Sequence, residues 1–197
     1  IKQTQEGEDI PYAFEIPTDL QIVQANGLMM TKRIRLTQRT ETFEISLTSE
    51  PLLVNFDTRK IILGVIDQAI NKEEAITLFQ NATHFLDKVS YIRLLKSIED
   101  SVSLDLIELA MKDEFWSVRK SAIKATKKLA KERPESTLIT LKTIASSDLK
   151  SNNRAAAISA ISKYFIEEVE MEFLMQRQSD LSYTCRLYTS EDADDQL

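Results

Sequence analysis

Two stretches of this chain, DEFWSVRKSAIKA at 113–125 and DLKSNNRAAAISA at 148–160, superimpose at one constant offset of 35 residues. Asp113 falls on Asp148, Arg119 on Arg154, Ala122 on Ala157, Ile123 on Ile158 and Ala125 on Ala160. Upstream, Leu106, Leu109 and Ala110 fall on Leu141, Ile144 and Ala145. Each copy reads as an apolar-periodic helix, a short break holding an Asp, and a second helix with the Arg about one turn in. Self-similarity at a period of this size is the mark of a stacked helical array.

Small residues at Ala122, Ala125, Ala157 and Ala160 let neighbouring helices approach, and Ile123 and Ile158 fill the seam. Asp113, Arg119, Asp148 and Arg154 read as a charged, hydrogen-bonded clamp between turns of adjacent repeats. The pattern resembles HEAT or HEAT-like repeats, which are helix pairs. A third, degenerate copy is expected upstream at Asp87, Ile92 and Arg93, with Lys96 and Ser97 in place of the Ala-Ile pair.

The first 60 or so residues follow a different period. Tyr12, Phe14, Ile16, Leu20 and Ile22 are apolar on even positions, and Phe43, Ile45 and Leu47 on odd ones, which is the pattern of half-buried strands. Asn26-Gly27 predicts a two-residue hairpin turn with positive φ at both central positions. Pro17 marks an edge or a bulge, and Pro51 opens a further strand, PLLVNFD. Four or five strands are expected, too few to close a sandwich, with the remaining strands placed before Ile1.

From about Asp67 the period becomes helical. Asn71 and Glu74 have capping-box spacing, and Pro134 falls at a helix start. Helices are predicted near 73–86, 89–99, 103–112, 115–132, 135–146 and 151–168. The fold class is therefore α+β and multi-domain: a partial antiparallel β-sandwich over 1–66, then a HEAT-like array over 67–175. Residues 176–197 lose periodicity and read as an irregular acidic tail; LYTSEDADD within them reads either as native solvated sequence or as read-through that is not native.

Composition sets limits on partners. A net charge of −6 and a pI near 5.0 argue against nucleic acid as the main partner, since phosphate binding needs a basic face. No apolar run approaches the ~20 residues that span a bilayer. One cysteine, Cys185, excludes a disulfide within the chain.

A strand-rich segment ending EPLLVNFDTRKIILGVID and passing directly into helix pairs resembles the C-terminal region of M1-family zinc aminopeptidases. The resemblance spans roughly residues 1–168. It rests on IKQTQ, PYAFEIPTDLQIV, the phrase from Pro51 to Asp57, and the repeat pair. In that family a small β-sandwich follows the catalytic domain and leads into a HEAT-like domain that shapes access to the active site. The implied partners are an upstream catalytic domain of the same polypeptide and the peptides it cleaves, and the implied zinc belongs to that domain.

The family's chemistry needs His-Glu-x-x-His and a distal Glu, because these three ligands leave one metal position open for water. This chain has a single histidine, His84, and lacks the family's Gly-x-Met-Glu-Asn loop. No catalytic or metal-binding residue is carried over onto it. The expectation is a non-catalytic fragment of such an enzyme; the alternative is a stand-alone HEAT-like interaction scaffold.

The remaining candidates are weaker. His84 lies in NATHFLD without a second His or Cys nearby and reads as a helix-face residue. Cys185 lacks an activating partner, and neither a Gly-x-Ser-x-Gly elbow nor a Gly-rich phosphate loop is present. Lys120, Lys124, Lys127, Lys128 and Lys131 recur every three or four residues. They read either as a solvated helix face or as a stripe for an anionic partner. Trp116 reads as a core or inter-domain anchor, and Glu167, Glu168, Glu170 and Glu172 as a solvated face.

Overall fold

The computed structural model describes residues 1–96, 100–169, 171–177, 179–180 and 182. Among them are one three-stranded antiparallel sheet and eight helices, so the chain is α+β. It divides into two compact units, Ile1–Asp87 and Lys88–Leu197.

In the first unit β1 (Ile16–Gln24) is the centre strand, between β2 (Met29–Leu36) and β3 (Pro51–Phe56). It pairs with β2 from Ile16↔Leu36 to Val23↔Met29, and with β3 from Leu20↔Phe56 onward, with an irregularity at Val23/Gln24. Pro17 lies where β1 pairs with β2 alone, so its missing amide hydrogen leaves no gap in the β3 ladder.

From Thr18 to Gln24 every β1 side chain is buried, apolar and polar alike, which a centre strand covered on both faces requires. Most of the buried polar groups are answered; Gln21 Nε2 donates to Met29 Sδ at 3.1 Å, while its Oε1 has no partner among the described residues. Thr18 donates to Asp57 at 3.0 Å, Asp19 pairs with Arg59 at 2.6 Å, and Gln24 Oε1 accepts from the Thr48 and Ser49 amides, both at 3.1 Å. Asp57, at φ 53°, gathers the chain after β3, its two carboxylate oxygens accepting the amides of Ile61 and Ile62.

Three expectations for this unit need correcting. The described residues hold three strands rather than four or five. Phe43, Ile45 and Leu47 are half-buried and Glu44 and Ser46 exposed, as the alternation implies, yet the segment joins no ladder. Alternation reports which side chains turn inward, not whether a backbone partner lies alongside. The hairpin loop is also longer than two residues: Gln24 O accepts from Gly27 N, Gln24 N donates to Leu28 O, and Gly27 alone has positive φ, 83°. Asn26 stays at negative φ and uses its side chain to accept the Leu28 amide at 3.1 Å.

Helix α1 (Lys72–Asn81) packs on β3 and opens with the expected capping box, Asn71 accepting from Glu74 N at 2.9 Å and Glu74 from Asn71 N at 2.8 Å. Helix α2 (Phe85–Leu95) spans the boundary between the units. The change of period at residue 67 and this boundary therefore do not coincide. Asp87, 1% exposed, is held within the first unit by Lys60 at 2.6 Å and Asn55 at 3.2 Å.

The second unit contains α3 (Ser101–Ala110), α4 (Trp116–Ile123), α5 (Lys127–Glu132), α6 (Pro134–Ser147), α7 (Ser151–Tyr164) and α8 (Met171–Arg177). Helix α6 packs on α7, α7 on α4, and α3 on both α4 and α5. The 35-residue repeat is reproduced in burial. Ala110 and Ala145, Ala122 and Ala157, and Ile123 and Ile158 are all at or below 1% exposure. Leu109 breaks the match, exposed where Ile144 is buried.

The helix expected over 115–132 is two helices, because the Ala125 and Thr126 amides bond back three residues, to Ala122 and Ile123. Thr126, fully buried, fixes that break by donating its hydroxyl to Ile123 O at 2.8 Å. Helix α7 stops at Tyr164 rather than 168, and α8 follows where no helix was expected. Pro134 occupies the first turn of α6 as expected.

Candidate functional site

The Arg and Asp of the repeat form rungs, with a partner choice the spacing alone does not reveal. Asp148 is the C-cap of α6, and Arg119 and Arg154 are each the fourth residue of their helices, α4 and α7. Arg119 reaches forward to the Asp of the next copy, Nε and Nη2 donating to the two oxygens of Asp148 at 2.7 and 2.8 Å. Its third nitrogen donates back to the carbonyls of Asp113 and Glu114, both at 2.9 Å. Arg154 repeats the arrangement, donating to Asp180 at 2.8 Å twice and back to Asp148 O at 2.9 Å. Each guanidinium thus ties a carboxylate of the following unit to a backbone turn of its own, a use of the planar five-donor fork that lysine cannot copy.

Each Asp also shapes its own turn, accepting the amide two residues on. Asp113 takes Phe115 N at 2.8 Å, Asp148 takes Lys150 N at 2.8 Å and Asp180 takes Ser182 N at 2.7 Å. Burial pushes the Asp148 carboxyl up; the Arg119 guanidinium and the Lys150 and Asn153 amides outweigh it and hold the group below its ordinary range. Arg119 is held correspondingly high by its bond to Asp148, against burial. Asn153, fully buried, joins the two copies again, donating to Trp116 O and to Asp148, both at 3.1 Å. Trp116 is half-buried and contributes to this rung through its carbonyl.

A third rung lies upstream, at a residue other than the one expected. Lys88, fourth in α2, pairs with Asp113 at 2.6 Å, so Lys88, Arg119 and Arg154 occupy equivalent helix positions. Arg93 is exposed and belongs to no rung, and Asp87 faces Lys60 instead. Ser97 lies outside the described residues. Lys88 escapes a search for Asp-x5-Arg because Ala82 stands where the Asp would be and a lysine replaces the arginine. The fourth position of each second helix is the signal that finds it. Asp180 was likewise missed, within a stretch read as aperiodic.

The five stripe lysines lie on two helices rather than one, the break at 124–126 separating Lys120 from Lys127, Lys128 and Lys131. Lys128 pairs with Glu132 at 3.4 Å. Lys120 and Lys124 instead line a groove of about 250 Å³ between α4 and α7, joined there by Lys163. Neither Lys120 nor Lys124 makes an ion pair or side-chain hydrogen bond among the described residues.

His84 precedes α2 rather than lying on a helix face; its Nδ1 accepts the Leu86 amide at 3.2 Å and its ring stacks on Phe85. Among the described residues no group of three or more His, Cys, Asp and Glu is placed to hold a metal ion. None of their helices is long and apolar enough to cross a membrane. Glu167, Glu168 and Glu172 are exposed, while Glu170, Cys185 and LYTSEDADD lie outside the described residues. Comparison with known protein families and with curated proteins finds no match for the chain.

Proposed function

We propose that this chain is the non-catalytic, C-terminal part of an M1-type zinc aminopeptidase, and that its helices stack as a HEAT-like array shaping access to the active site upstream. The observation that carries the reading is the run of rungs Lys88–Asp113, Arg119–Asp148 and Arg154–Asp180. Forward-reaching cations at one helix position are what stacked helix pairs need to fix their register. A sheet unit preceding such an array is the order that the resemblance implies, the sheet being the remnant of a β-sandwich.

The first unit also presents apolar side chains suited to a covering domain. Leu63 and Val65 are fully exposed, and Ile61 and Ile66 are 44% and 38% exposed. A contiguous apolar segment on a surface marks an interaction site. In this reading the catalytic domain of the same polypeptide covers it and supplies the zinc; peptides are the substrates of the whole enzyme.

The upstream reading frame tests the proposal. A His-Glu-x-x-His with a distal Glu is expected there, and the full-length protein should bind one zinc and hydrolyse aminoacyl reporters. The chain by itself should do neither, having one His and one Cys. An initiator Met shortly before Ile1, or tight stoichiometric zinc on the chain alone, rejects it. The second reading, a stand-alone interaction scaffold, is favoured by the lysine-lined groove.

A further inference from the structure

The groove between α4 and α7 shares Ile123 and Ala160 with the repeat, but the polar residues that line it belong to neither the repeat nor the rungs. Lys120 and Lys124 stand one turn apart on the α4 side. On α7, Asn152, Ala156, Ser159 and Lys163 follow one another at three- and four-residue intervals and so share one face. Ala155 and Ala160 project so little side chain that the space between the helices stays open. No acidic residue lines the groove among the described residues. Lys163 stands over the Tyr164 ring at 5.4 Å.

Helix ends account for part of this. Lys120 and Lys163 lie in the last turns of their helices, where a cation is favoured by the dipole. That effect does not require three ammonium groups to line a single concavity without a carboxylate between them. In a chain of net charge −6, such a local concentration of positive charge stands against the overall balance.

We infer that this groove binds an acidic segment of a partner polypeptide, laid in extended form along α7. Charge complementarity selects the sign of the ligand. Length selects its form, since the α7 face from Asn152 to Lys163 runs about 16 Å at 1.5 Å per residue, room for roughly five extended residues. Spacing selects the pattern. Alternate side chains of an extended chain lie about 6.5 Å apart on one side, close to the rise of one helical turn that separates Lys120 from Lys124. Carboxylates at every second residue would meet both ammonium groups. Ser159 and Asn152 supply hydroxyl and amide groups for the segment's backbone. A nucleic-acid duplex does not enter a concavity of about 250 Å³, and a single strand, whose phosphates would meet the same cations, is the competing ligand in the test. The inference is independent of the peptidase reading.

The test is fluorescence anisotropy with a labelled decapeptide of alternating Glu and Thr, a matched Gln-Thr decapeptide, and oligo-dT of equal charge. The wild-type chain should bind the Glu peptide at least tenfold more tightly than either control. Lys120→Glu with Lys124→Glu should weaken binding tenfold or more, whereas Lys131→Glu, an equal charge change outside the groove per residue, should leave it within about twofold. Thermal melts of each variant check that folding is retained, and the milder pair Lys120→Gln and Lys124→Gln should show an intermediate loss. Equal binding by wild type and the groove variants, preference for oligo-dT, or no binding of the Glu peptide overturns the inference.

Discussion

At the scale of single residues, the rungs differ in what each cation can do. Arg119 and Arg154 are each bonded on both sides, to a carboxylate and to a backbone turn, and their side chains are 16% and 17% exposed. Replacing either by Ala leaves a nearly buried carboxylate and carbonyls without donors, which should cost on the order of 1–3 kcal/mol. Lys124→Ala, at an exposed lysine, should stay within about 0.5 kcal/mol. Lys88→Ala should fall between, since its ammonium makes a point contact to Asp113 and no bond to the backbone turn among the described residues. Denaturant midpoints of the four variants check this order; Lys124→Ala as the worst would reject the rungs as a stabilising device.

Asp148 adds a pH signature. Its folded pKa lies below the ordinary 3.8, so its pairing stabilises in full above that value and is lost as the pH falls through the lower, folded value. The stability gap between wild type and Asp148→Asn should therefore be widest near neutrality and should narrow steadily below about pH 4. A gap that is constant down to about pH 2 would mean that the carboxylate's charge contributes nothing. The Asp and Arg were legible in the sequence because local helix geometry puts both at fixed places in each copy. Which Asp meets which Arg was not legible, since that is decided by how one helix pair sits on the next.

Elements were legible where a local rule fixes them and obscure where partners do. The α1 capping box follows from four consecutive residues, and its energetics are local too. Asn71→Ala removes the acceptor of the Glu74 amide and should destabilise the first unit by about 1 kcal/mol, measured by thermal or denaturant unfolding. Asn71→Gly should cost only a few tenths of a kcal/mol, and equal losses for the two would remove the cap as the cause. By contrast, the break between α4 and α5 falls inside an unbroken apolar period, at Lys124-Ala125-Thr126, with neither Gly nor Pro to announce it. Thr126, fully buried, holds that break by bonding its hydroxyl to Ile123 O. The segment around Phe43 shows the same limit for strands, having the alternation without a ladder.

At the scale of the whole molecule, the two units should differ in how firmly they hold their amide hydrogens. The sheet has a single centre strand, so β2 and β3 each keep one side without a ladder among the described residues. Unpaired edges recruit other chains, and sheets of so few strands are marginal unless packed on other elements. Helix α1 on β3 supplies some of that packing. The helical unit is held by contacts close in sequence, α6 on α7 above all, and by rungs that recur along it. Amide hydrogens of residues 16–56 outside β1 should therefore exchange faster than those of 104–161, with β1 the most protected part of the sheet. Dilution should speed neither unit's exchange if the edges stay free, whereas association through β2 or β3 would raise protection there with concentration. Equal protection of β2, β3 and α7 in a dilute monomer would show that the edges are covered, and would remove the physical ground for expecting a covering domain on the sheet unit.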